Sequence, residues 1–124
     1  MIDFNNASFV KLKPVPYKNY QDMIDPLLIG GEEVIATFQA MRDGIVFTNK
    51  RIISINVQGV TGKKKDFTSL PYTKIQAFSV ETSGVFDLDS ELELWFSGLG
   101  KVKLEFSGKA DVAEICRMIS ELTL

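Results

Sequence analysis

Three groups of residues carry the chemistry available to this chain. Lys63, Lys64 and Lys65 form its one compact basic run, and Lys50 and Arg51 lie at a neighbouring turn. If these five side chains converge, they form an anion-binding patch that attracts phosphate by charge and by multiple donors. On an alternating strand, however, Lys64 points away from Lys63 and Lys65. A solvated turn that guards a strand edge is the plainer reading. Asp87, Asp89 and Glu91 make the densest acidic cluster. Their alternate spacing puts carboxylates on one strand face, as calcium ligands or paired catalytic acids require. The twelve-residue calcium-loop pattern is missing and no nucleophile has a base nearby. Solvation, or pairing with lysines across a subunit boundary, fits better. Val85, Phe86 and Leu88 sit in the turn-like stretch Ser83–Ser90, where polar residues normally predominate. Trp95 is out of phase with Leu92, Leu94 and Phe96, so it projects from a wet face. Together these four residues form a candidate oligomer or partner interface. The alternative is an N-terminal arm that covers them within the same subunit.

The rest of the composition removes whole classes of function. The chain has no histidine, which excludes Ser-His-Asp and Cys-His catalysis and imidazole metal sites. Ser8, Ser54 and Ser69 therefore have no partner to activate them, and none sits in a nucleophile-elbow pattern. Cys116 cannot form an internal disulfide and falls within an apolar stripe, where it reads as a small core residue. Gly59 and Gly62 read as turn residues, not as a phosphate-cradling loop. No catalytic residue, cofactor or metal is expected. With 14 basic against 16 acidic residues, the formal net charge is −2, so no global field recruits nucleic acid or an anionic membrane. The expected partners are copies of the chain and an unidentified protein, with weak or no membrane binding and no nucleic acid. Apolar runs such as Leu27-Leu28-Ile29 fall far short of the roughly 20 residues that span a bilayer. Met1-Ile2-Asp3 lacks the positive start of a secretory signal, and a cytoplasmic location is expected.

These residues need elements to position them. Residues 1–30 read as an N-terminal arm broken by Pro14, Pro16 and Pro26. Within it, Tyr17, Tyr20, Ile24 and Leu27 recur at near-helical spacing. Residues 31–124 read as the main domain. Val34, Ala36, Phe38 and Ala40 share one face of a strand, with Thr37 and Gln39 on the other. Asp43-Gly44 signals a hairpin into Ile45-Val46-Phe47. Ile53, Ile55 and Val57 alternate with Ser54 and Asn56; further strands cover Lys65–Leu70 and the run from Lys74 to Glu81. The clearest hairpin pairs Leu92, Leu94 and Phe96 with Val102, Leu104 and Phe106. Acids lie on the wet face of one strand and lysines on that of the next. Val112, Ile115, Cys116, Ile119 and Leu122 then form one helical stripe. About seven antiparallel strands in two bent sheets, capped by a C-terminal helix, make a small mainly β barrel.

The stretches Arg42–Ile53 (RDGIVFTNKRII), Gly59–Lys65 (GVTGKKK) and Ser79–Leu92 (SVETSGVFDLDSEL) resemble signatures of the bacterial pleckstrin-homology-like family. The resemblance covers approximately Gly30 to Ser107. It implies a PH-like barrel with a C-terminal helix in an intracellular module that assembles into homo-oligomeric rings. Eukaryotic relatives of that fold hold inositol phosphates with a basic first hairpin loop. Here the corresponding turn, Met41-Arg42-Asp43-Gly44, is short and carries one acid against one base. The expected function is a non-catalytic scaffold that self-associates; the alternative is a peripheral binder of anionic lipid or phosphate through the lysine run.

Overall fold

The computed structural model describes residues 1–82, 89–108 and 110–124. Eight strands are found among them: β1 (Ala7–Pro14), β2 (Val34–Ala40), β3 (Asp43–Thr48), β4 (Arg51–Gln58), β5 (Lys64–Pro71), β6 (Ile75–Glu81), β7 (Ser90–Phe96) and β8 (Gly100–Phe106). They form one continuous sheet in the order β5-β4-β3-β2-β1-β8-β7-β6. Two helices complete the fold, the one-turn α1 (Gln21–Ile24) and the longer α2 (Val112–Thr123).

The strand count exceeds the expected seven because the first part of the N-terminal arm is itself a strand. β1 runs parallel to β8, from Ala7 beside Val102 to Leu12 beside Phe106, and then antiparallel to β2 at Lys13 and Pro14. It changes partner at an irregularity around Lys11, whose φ of 60° is rare outside glycine. Phe9 and Leu12 both reach the core although they are three apart. That spacing erases the period-two signal, which is why the strand is not visible as an alternation. β1 is the piece that joins the two bent halves into one sheet.

The helical expectation for Tyr17–Leu27 holds in broken form. A 3-10 turn at Tyr17–Asn19, α1 and a second 3-10 turn at Asp25–Leu27 follow one another, with Pro26 in the first turn of the last piece. Tyr20 and Ile24 bury against Val46, Ile53 and Ile55 on the outer face of β3 and β4. β3 is therefore covered on both sides: Ile45 and Phe47 face the main core while Val46 faces the helical layer. Thr37, expected on a wet face, is buried. The apolar alternation of β4 likewise belongs to this second layer, and Ser54 is the residue that is fully enclosed in its alternate position.

The main core lies between the two halves of the sheet. Phe38 packs edge-on against Phe47 and Phe106, with ring centroids 5.7 and 5.0 Å apart. The hairpin of β7 and β8 forms as expected, with Leu92, Leu94, Phe96, Val102, Leu104 and Phe106 inward. α2 starts at Asp111, whose side chain caps the Glu114 N–H at 3.2 Å. Its Ile115 and Ile119 plug the core beside β6 and the turn at Tyr72–Lys74. The stopper is present, but β5 and β6 are not hydrogen-bonded to each other.

Gly44 marks where β3 passes beneath Tyr20. A Cβ there would come within 2.7 Å of the tyrosine ring. That ring is buried, and its hydroxyl donates to the Asp43 carbonyl at 2.9 Å, so it cannot swing away. Gly44→Ala is expected to destabilise the fold by about 1–3 kcal/mol through overpacking. A lower urea midpoint at unchanged m value would show it.

Candidate functional site

Strands β6, β7 and β8 present a wet face whose register arranges it in rows. Ala77, Trp95 and Lys101 form one row; Ser79, Glu93 and Lys103 the next; Glu81, Glu91 and Glu105 the third. Trp95 is 47% exposed, as its phase in the strand requires, and stands one strand from the free edge of β6. Lys101 reaches Glu93 at 3.6 Å and Lys103 reaches Glu91 at 4.0 Å, so the pairs run diagonally. Such exposed pairs contribute little. The third row sets like charges directly opposite one another. Burial, then a hydrogen bond with Asp89 and the charges of Asp89 and Glu91, push the Glu105 carboxyl above its ordinary value, while Lys11 pulls it back. Among the described residues no group of three such side chains is arranged to hold a metal ion. Val85, Phe86, Asp87 and Leu88 lie outside the described residues.

The basic residues separate into two groups. Along the β4–β5 ladder, Arg51 pairs with Pro71 and Gln58 with Lys64. The Lys50-Arg51 corner and the lysine run thus sit at opposite ends of one hairpin, about 23 Å apart at the rise of a strand. That register does not bring all five together, which is the condition for a shared anion patch. Arg51 instead holds Glu32: its Nε meets Oε2 at 3.0 Å and its Nη2 meets Oε1 at 3.0 Å. It also donates to the Leu27 carbonyl at 2.7 Å and to Ser69 Oγ at 2.9 Å. This is a strut between the helical layer and the sheet, not a ligand site.

At the lysine end the residue that arrives is Arg42, whose Nη1 donates to the Gly59 carbonyl at 2.7 Å. The hairpin turn itself is Met41-Arg42, two residues earlier than the Asp43-Gly44 signal. Asp43 enters β3, and its Oδ1 accepts the Val57 N–H at 2.8 Å. In an up-and-down meander alternate turns fall at the same end, which is the signal that brings Arg42 near the β4–β5 turn.

Two bent half-sheets joined through one shared strand, with a terminal helix lodged at the mouth, define a pleckstrin-homology-type domain. Residues 3–123 match the family described as bacterial PH domain, and the chain belongs to that family. It is 44% identical over 106 residues to the uncharacterized protein YjqA of Bacillus subtilis (strain 168), covering 84% of this chain and 85% of that protein. YozO of the same organism, also described as uncharacterized, is 33% identical over 98 residues, with coverage of 79% and 84%. Among solved structures, a pleckstrin-homology protein of Shewanella loihica PV-4 superimposes with a TM-score of 0.81 at 38% identity, covering 93% of this chain and 99% of its own. A pleckstrin homology domain from Shewanella amazonensis SB2B gives 0.68 at 40% identity, with coverage of 89% and 90%. No described helix is long and apolar enough to cross a membrane.

Proposed function

We propose that this chain is a non-catalytic interaction module that self-associates head to tail into a ring. The carrying observation is its two unpaired edges. Among the described residues β5 and β6 end the sheet, have 8 and 7 residues, and are each paired on one side only. An antiparallel alignment between copies puts Lys64 and Lys65, at the start of β5, beside Glu81, at the end of β6. Such edges are templates for strand addition, and opposite charges at matched positions favour one register. A contact between two different surfaces of one chain propagates, and closes into a ring when the rotation permits. Trp95 stands beside this seam, and by sequence alone Val85, Phe86 and Leu88, outside the described residues, are assigned to the same interface. A ring would present repeated surfaces, so that avidity offsets weak individual contacts.

Binding rather than turnover suits the chemistry. Among the described residues the buried carboxylate is that of Glu32, and its oxygens are already engaged by Arg51, Thr48 and the Ile29 N–H. Attachment to phosphate or anionic lipid has less support, because Lys50 and Arg51 stand away from Lys63–Lys65. The self-association reading is tested by light scattering. The wild-type chain is expected to show a mass several times 13.9 kDa that persists on dilution. Trp95→Glu is expected to return it to that of one chain. A wild-type mass of one chain sinks self-association, and an unchanged Trp95→Glu mass sinks the Trp95-centred contact.

A further inference from the structure

Helix α2 leaves part of its apolar stripe open. Ile115 and Ile119 fill the core, and Met118 and Leu122, half-buried against it, also line a groove of about 570 Å³ between the helix and β2. The opposite wall includes Ile35, which is 48% exposed. Its outward aim has a backbone cause: the register of β2 slips between Val34 and Ala36, so Ile35 belongs to neither buried layer. Bulges of this kind re-aim a side chain at the expense of ladder pairing. The rim is acidic. Among the described residues Asp111, Glu114 and Glu121 border the groove against a single cation, Arg117, which is held by Glu114 at 3.0 Å.

We propose that this groove docks a short segment of a separate protein, an apolar anchor flanked by lysine or arginine. The apolar walls supply the contact and the carboxylates supply the choice of sign. The inference rests on the interaction-module reading above, for which it names the partner chemistry, and each copy in a ring would add one such groove. A segment with an apolar anchor and flanking cations matches both the apolar floor and the excess of rim carboxylates among the described residues.

The probe is a fluorescein-labelled eight-residue peptide of alternating leucine and lysine, compared by anisotropy with its leucine–glutamate counterpart. The basic peptide is expected to bind saturably and the acidic one not at all. Glu114→Lys combined with Glu121→Lys is expected to weaken binding by roughly tenfold or more. Ile35→Asp is expected to remove it, with the circular dichroism spectrum retained. Should a variant fail to fold, the wild-type chain still decides the matter, since the amide resonances of Ile35, Met118 and Leu122 must shift on titration. Equal binding of both peptides, no binding, or shifts confined elsewhere overturn the proposal. A changed assembly mass for Ile35→Asp shows a second copy in the groove and overturns it as well. A wild-type mass of one chain sinks the ring instead, while peptide binding stays measurable on the single chain.

Discussion

Removing residues 1–14 is expected to abolish cooperative folding. β1 is the strand through which the two halves of the sheet are hydrogen-bonded, antiparallel to β2 and parallel to β8. Its loss would strip both neighbours of a partner and leave the halves joined chiefly by the chain between β5 and β6. It would also remove Ile2, Phe9 and Leu12 from the core. Leu12 is fully buried, and truncating such a leucine to alanine alone costs about 2–5 kcal/mol. Domains of this size hold about 5–15 kcal/mol in all. Losing three apolar side chains and a central strand exceeds that margin. The deleted chain is expected to melt without a sigmoidal transition and to bind a dye for exposed apolar surface. A sharp melt would instead show that the two halves hold together without β1.

The contrast between β1 and the β7–β8 hairpin shows what local pattern can and cannot disclose. Leu92, Leu94 and Phe96 alternate without interruption because the hairpin has one wet face, and period two is then a faithful record of burial. α2 is legible for the same reason at period 3.6, although Val112, Cys116 and Leu122 are only half-buried while Ile115 and Ile119 are enclosed. β1 breaks its period at Lys11, and β3 and β4 are covered on both faces, so alternation there cannot say which layer a residue joins. Ile53 and Ile55 pack on Tyr20 and Ile24, a contact across some thirty residues of chain that no window contains. The site is subject to the same limit. Trp95 was readable from its phase in one strand, whereas the partners of Arg51 and Arg42 depend on which turns share an end of the sheet. Arg51 finds Glu32 nineteen residues earlier, and Arg42 finds the Gly59 carbonyl seventeen residues later.

Arg51→Ala is expected to be the most damaging change to a partly exposed residue, at about 3–5 kcal/mol, because it strands a buried charge. The Glu32 side chain has no exposed area, whereas that of Arg51 keeps 21%. Burial by itself would push the Glu32 carboxyl up. Hydrogen bonds from Arg51, Thr48 and the Ile29 N–H, with the Arg51 charge, outweigh burial and hold it below its ordinary value. A carboxylate depressed in the folded state stabilises it fully above the unfolded-state value. That contribution is lost as pH falls through the lower, folded value. Without Arg51 the burial penalty stands unopposed by a cation, so the sign reverses and protonating Glu32 relieves the variant. Urea unfolding at pH 7 and pH 4 separates these effects. The gap between wild type and Arg51→Ala is expected to be wide at pH 7 and to narrow at pH 4. Arg51→Lys is expected to recover little, since one ammonium cannot span both Glu32 oxygens, the Leu27 carbonyl and Ser69 together. Equal losses at the two pH values would mean that Arg51 acts through Leu27 and Ser69 alone, and that Glu32 is held by Thr48 and Ile29 without it.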